Sequence, residues 1–172
     1  MAVTVGPEGR RLAIADADPL TGSSPSITLL DVPGVSQAYP RWSPDGSLIA
    51  YEARGEGNWD IWVIDADGSN ARRVIQGPTH ERQPTWASDQ RALFYRDDFQ
   101  ELWRVALDAD ANPVGAPERF LTLLPRQRVG EGGFDVRGDR LLLAVEEHAS
   151  DIWLLEFSDG DAWTSGRSGG GR

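Results

Sequence analysis

Cysteine is absent from the 172 residues, which excludes disulfides, thiolate metal sites and thiol nucleophiles together. Histidine is nearly absent: His80 and His148 are the only two, and neither has a partner at metal-ligand or triad spacing. Both read as exposed loop residues, in Pro78-Thr79-His80-Glu81-Arg82 and Glu146-Glu147-His148. Basic residues are in deficit, with 17 Lys and Arg against 27 Asp and Glu and a formal charge of −10. A phosphate backbone needs a basic face, so this domain is not expected to bind nucleic acid. Solubility is the simplest role for the acidic excess. No apolar run approaches the ~20 residues that span a bilayer. Residues 1–8 lack the basic and apolar regions of a signal peptide, so the chain as written is expected in the cytoplasm. Phosphate-cradling glycine loops are missing as well. Helical periodicity is poorly supported throughout, and its last trace, residues 120–124, is short and stops at Pro125.

What the chain has instead is repetition, the first property to test in any sequence. Four apolar segments recur: Ile27-Thr28-Leu29-Leu30-Asp31, Ile61-Trp62-Val63-Ile64-Asp65, Leu102-Trp103-Arg104-Val105-Ala106 and Ile152-Trp153-Leu154-Leu155-Glu156. Each follows a second landmark, a turn leading into a β-rich run. The clearest copy is Pro44-Asp45-Gly46-Ser47-Leu48-Ile49-Ala50-Tyr51, and the others start at Pro7, Ser88 and Arg137. Proline presets φ, aspartate bonds its own backbone and glycine accepts positive φ, so Pro44-Asp45-Gly46 is a tight turn. Pro40-x-Trp42 and Pro84-x-Trp86 mark a further strand ahead of that turn in the two middle copies. Residues 70–75 and 115–122 can supply outer strands there, whereas the first copy has almost no room for a fourth strand. A unit of about forty residues with three or four short antiparallel strands is the pattern of a propeller blade.

The second copy, Trp42-Ser43-Pro44-Asp45-Gly46-x-x-Ile49-Ala50-Tyr51 followed by Ile61-Trp62-Val63-x-Asp65-x-Asp67-Gly68-Ser69, resembles the WD40-like (PD40) repeat of TolB-type β-propellers. The third and fourth copies match it in part. The resemblance implies an all-β fold, a propeller of about four blades at residues 2–37, 38–81, 82–128 and 129–157. The Gly/Ser-rich tail, 158–172, is expected to be disordered. Propellers of this kind usually close with six or more blades. The chain is therefore expected to be a fragment of a longer protein, to close alone with four blades, or to complete its ring with a second copy as a homodimer. The implied function is non-catalytic binding of a protein or peptide, with periplasmic location by family analogy. The alternatives are the sensor end of a bacterial Ser/Thr kinase or winged-helix regulator, or the propeller of a peptidase without its catalytic domain.

No residue carries catalysis in this reading. Gly166-Arg167-Ser168-Gly169-Gly170 satisfies G-x-S-x-G in letters alone, because it lies in a glycine-rich tail with neither the strand before it nor the helix after it that the elbow needs. Asp65-Ala66-Asp67-Gly68-Ser69-Asn70 and Asp108-Ala109-Asp110-Ala111-Asn112 resemble fragments of calcium loops but lack the closing glutamate. They read as turns between third and fourth strands, so no metal or cofactor is expected. Trp42, Trp62, Trp86, Trp103 and Trp153 fall at equivalent strand positions and are assigned to packing between blades. Trp59 and Trp163 do not. Trp59, placed on a loop in Gly55-Glu56-Gly57-Asn58-Trp59-Asp60, is the one candidate binding residue, an exposed interface anchor or an indole folded back on its own blade. The long loop around 21–25 is a candidate binding surface.

Overall fold

The computed structural model describes residues 2–5, 11–16, 26–30, 32, 36–55, 57–97, 101–124, 126–146 and 151–156. The tail with Ser168 and Trp163, the loop 21–25 and His148 all lie outside them.

Fourteen strands form four antiparallel sheets in chain order. The first holds β1 (Ala2–Val5), β2 (Arg11–Asp16) and β3 (Ser26–Leu29). The second holds β4 (Ser36–Trp42), β5 (Leu48–Arg54), β6 (Trp59–Asp65) and β7 (Arg72–Ile75). The third holds β8 (Glu81–Trp86), β9 (Ala92–Asp97), β10 (Glu101–Leu107) and β11 (Pro113–Thr122). The fourth holds β12 (Arg128–Arg137), β13 (Arg140–Glu146) and β14 (Asp151–Glu156). Each sheet is a meander whose neighbours in sequence are neighbours in space, the simplest arrangement for strands joined by tight turns. Residues 120–122 belong to β11, so the weak helical spacing there resolves as strand.

The first strands β1, β4, β8 and β12 contact one another in succession and form the inner edge. Among the described residues, no contact of similar extent joins the fourth sheet to the first, and the four blades form an open arc. Apolar side chains alternate to fill the gaps between sheets, as period-2 strands require. Ile61 and Val63 from the second sheet meet Trp86, Leu93 and Val105 of the third. Leu102 and Phe94 of the third meet Val129, Phe134 and Leu143 of the fourth. Trp62 and Trp42 lie against the core shared by the first two sheets, and Trp103 against that of the middle two, which places four of the five repeat tryptophans at sheet interfaces.

The inner strands share one irregularity. Register slips between Ala38 and Arg41, between Arg82 and Thr85, and between Val129 and Phe134. At each slip one residue turns left-handed: Tyr39 (φ 50), Gln83 (φ 52) and Gly133 (φ 73). These are β-bulges, which bend an edge strand and redirect its side chains. Pro40 and Pro84 follow directly, tolerated because an edge strand at a bulge needs no N–H there. The bulge aligns Phe134 with the two prolines and Val136 with Trp42 and Trp86, a third copy of the landmark that neither residue type discloses.

Candidate functional site

The two ends of the sheets differ in chemistry. One end carries the β4–β5, β6–β7, β8–β9 and β10–β11 turns, and acidic side chains satisfy them locally. Asp45 accepts from Ser47 N, Ser43 Oγ and Ser47 Oγ at 2.7–2.9 Å, and these bonds, the backbone one first, hold its carboxyl well below the ordinary range. Gly46, at φ 75, supplies the left-handed residue the turn needs. Asp108 accepts from Asn112 N and Asp110 N at 2.8 and 3.0 Å, and Asp65 accepts from Asn70 Nδ2 at 2.7 Å. Asp65, Asp67 and Asp108 of the segments that resembled calcium-loop fragments are thus engaged in turn hydrogen bonds. Among the described residues no group of three or more His, Asp and Glu gathers to hold a metal.

The other end carries the connections between sheets and is built differently. Among the described residues the buried charged side chains are Glu52, Asp60, Glu81 and Arg96, and all four lie toward this junction end of their strands. Glu52 is fully buried and crosses from the second sheet to the third. Its Oε1 accepts from Arg82 Nη2 at 2.9 Å and Arg82 Nε at 3.3 Å, while Oε2 accepts from Gln83 N at 2.8 Å. The bulge at Gln83 turns that N–H toward the neighbouring sheet. Arg82 in turn lies over the Trp59 ring, its guanidinium carbon 4.9 Å from the centroid. Trp59 N donates to His80 Nδ1 at 3.3 Å, and His80 is exposed, as read from the sequence.

Trp59 opens β6 opposite Arg54 and is not a loop residue, because the turn before it is short and indole suits a strand. It is half-buried, and it stacks on the next blade's arginine instead of its own sheet. Beside it lies an open cleft of about 340 Å³, lined by Gly55, Gly57, Asn58, Asp60, Arg73 and Gly77 among others. Arg73 Nη1 donates to Asp60 Oδ2 at 3.0 Å. Asn58 Nδ2 donates to Gly77 O at 3.3 Å and ties the β5–β6 turn to the link between blades.

That link is held from below by Glu81, whose carboxylate accepts from Gly77 N at 3.1 Å and Thr79 Oγ1 at 3.2 Å. Burial, aided by the nearby Asp60 charge, raises the Glu81 carboxyl from 4.5 to about 7 against the opposing pull of those bonds. A carboxyl raised on folding holds its proton more tightly in the folded state. Its stabilising effect is therefore complete below pH 4.5 and is lost as pH rises through about 7. Glu81→Gln is expected to flatten that part of the stability–pH curve and to raise stability at pH 8. Urea unfolding at several pH values reads it directly, and an unchanged slope would refute the assignment.

Of these groups, sequence reading singled out Trp59 and His80 and passed over Glu52, Asp60, Arg73, Glu81 and Arg82. Period-2 alternation offered one clue. Glu52 shares a strand face with Ala50 in the run Ile49-Ala50-Tyr51-Glu52-Ala53, so a charge there had to be buried and paired.

No family model matches the chain. The Tol-Pal system protein TolB of Anaeromyxobacter dehalogenans (strain 2CP-C) is 45% identical over 112 residues, covering 62% of this chain and 24% of that protein. The chain spans about a quarter of the length of that curated relative. Among solved structures, a candidate TolB from Agrobacterium tumefaciens superposes with a TM-score of 0.59 at 18% identity, covering 88% of this chain and 59% of that one. A Mycobacterium tuberculosis puromycin-hydrolyzing peptidase superposes with a TM-score of 0.57 at 17% identity, covering 93% of this chain and 29% of that one. The structural likenesses establish the fold, and the sequence relative agrees with the repeat motifs. The chain is built of TolB-like β-propeller repeats.

Proposed function

We propose that the chain is a non-catalytic scaffold that binds a protein or peptide at the junction end of its sheets, with Trp59 as an anchor. The observation that carries this reading is the asymmetry of the two ends. One is closed by self-satisfied turns, while the other concentrates the buried charges, an aromatic half open to solvent and a cleft. Arg82 holds the indole from beneath, so a partner meets a preformed aromatic surface and spends little entropy ordering it. Relatives named TolB support a binding role over a catalytic one. Selecting peptides from a random library on the full chain, then measuring them against Trp59→Ala, tests the proposal. Binding is expected to weaken about tenfold or more with the unfolding midpoint little changed, since aromatic anchors carry roughly 2 kcal/mol or more. Peptides indifferent to Trp59 would remove it from the site, and a library yielding no binders would end the reading.

The open arc bears on oligomeric state. Ile27 and Leu29 are 59% and 49% exposed although their repeat equivalents Ile61 and Val63 are fully buried, and Leu142 of the last sheet is 51% exposed. A second copy that covers these faces and completes a ring is the homodimer we propose. Light scattering that shows only monomer across the micromolar range would exclude it.

A further inference from the structure

The charged side chains that line the cleft beside Trp59 are Arg73 and Asp60, and on a chain that carries −10 it is the cation of this pair that meets solvent. In the Arg73–Asp60 pair the arginine side chain is 42% exposed and the aspartate 10%, so the carboxylate faces inward and the guanidinium outward. Glu81, behind Gly77, is buried. Asp60 is the hydrogen-bond partner of Arg73 among the described residues, and it occupies one of five guanidinium N–H groups. Open space adjoins Gly55 and Gly57, where a Cβ built on either meets nothing within 4 Å. Asn58, the polar side chain between them and Trp59, is already committed to Gly77 O.

We propose that this cleft is a carboxylate-binding subsite, in which the outer edge of the Arg73 guanidinium holds an aspartate, glutamate or C-terminal carboxylate of a bound peptide. A planar fork whose inner edge is fixed by Asp60 is oriented before the ligand arrives, and charge-assisted bonds to carboxylate are the strongest this lining can make. The open space at Gly55 and Gly57 lets an extended peptide backbone approach there. The subsite rests on the peptide-binding reading above and assigns it a partner class, an acidic segment.

The groups that set the local field are Asp60 on β6, Glu81 behind Gly77, His80 on the same link, and Tyr95 and Asp97 on β9, which face Glu81. With Glu81 protonated, less negative charge opposes an anionic ligand. Affinity is expected to rise roughly threefold from pH 8 to pH 6, where the ligand carboxylate stays ionised.

The test is a titration of the isotope-labelled full chain with acetyl-Gly-Asp-Gly-amide and its Asn and Lys counterparts, followed at the amides of Gly55, Gly57 and Gly77 and the Trp59 indole. The Asp peptide is expected to saturate these signals and the Asn peptide to bind about tenfold more weakly. Arg73→Gln should weaken the Asp peptide about tenfold, and Asp60→Asn should tighten it severalfold by freeing the whole fork and removing a negative charge. The two variants are opposite in sign, so a general folding defect cannot imitate both. Repeating the series in Glu56→Gln removes the carboxylate that lies between the two glycines in the sequence and should leave the order unchanged. The proposal is overturned if the Lys peptide binds as well as the Asp peptide, if Arg73→Gln binds normally, or if no peptide saturates. Library peptides that need Trp59 but do not distinguish Asp from Asn would overturn the subsite and leave the binding function standing.

Discussion

Glu52→Ala is expected to destabilise the protein by about 3 kcal/mol. The carboxylate is fully buried and serves three donors of the neighbouring sheet, two on Arg82 and the N–H of Gln83. Its removal leaves that N–H without a partner and a guanidinium only one-fifth exposed, and breaking such a pair costs more than the pair contributes net. The partial exposure of Arg82 keeps the value at the lower end of the usual range. For a chain of this length the loss corresponds to a drop of roughly 6–12 °C in melting temperature. Adding Arg82→Met should recover part of the loss, since the uncompensated charge disappears and only the Gln83 N–H remains orphaned. A loss below about 1 kcal/mol in Glu52→Ala, or no recovery in the double variant, would mean that the cross-sheet bond contributes little. The same variants should loosen Trp59, which rests on Arg82, and so weaken peptide binding by less than Trp59→Ala does.

Glu52 also shows where sequence reading ends. The repeats were legible because the turn Pro44-Asp45-Gly46 and the pairs Pro40-x-Trp42 and Pro84-x-Trp86 are local patterns with local causes. Their third copy, Phe134-x-Val136, shares the backbone shape but neither residue type. The left-handed conformation that unites Tyr39, Gln83 and Gly133 is announced only by the glycine. The site was less legible than the fold, because its contacts join residues far apart in sequence. Arg82 is 30 residues from Glu52, and the two meet only once two sheets are stacked. Trp59 was visible as the tryptophan that breaks the repeat, yet its role depends on that same stacking. The Arg73–Asp60 pair joins adjacent strands, but which of the two faces solvent is decided by the depth of the cleft and not by spacing.

Stacking itself is what Trp86→Ala should disturb, at an expected cost of about 3–5 kcal/mol. Trp86 is 6% exposed in the cluster that holds Ile61 and Val63 of one sheet against Leu93 and Val105 of the next. Its Nε1 donates to Arg41 O at 3.0 Å, a direct bond from the third inner strand to the second. Truncation removes the indole, opens a cavity between rigid β-sheets that cannot close around it, and orphans the Arg41 carbonyl. Trp86→Phe separates these effects: most of the apolar contact survives, the bond does not, and a loss of about 1–2 kcal/mol is expected. Because, among the described residues, each sheet's extensive contacts are with its neighbours in the chain, stability here is close to a sum of blades and interfaces, as in other repeat proteins. Weakening the central interface should therefore change the form of unfolding as well as its midpoint. In Trp86→Ala the denaturant transition should broaden, and amide exchange should quicken in the first two sheets independently of the last two. A sharp single transition shifted by less than 1 kcal/mol would show that the sheets are coupled elsewhere, through Glu52 and the inner-strand bulges, and that Trp86 merely fills space.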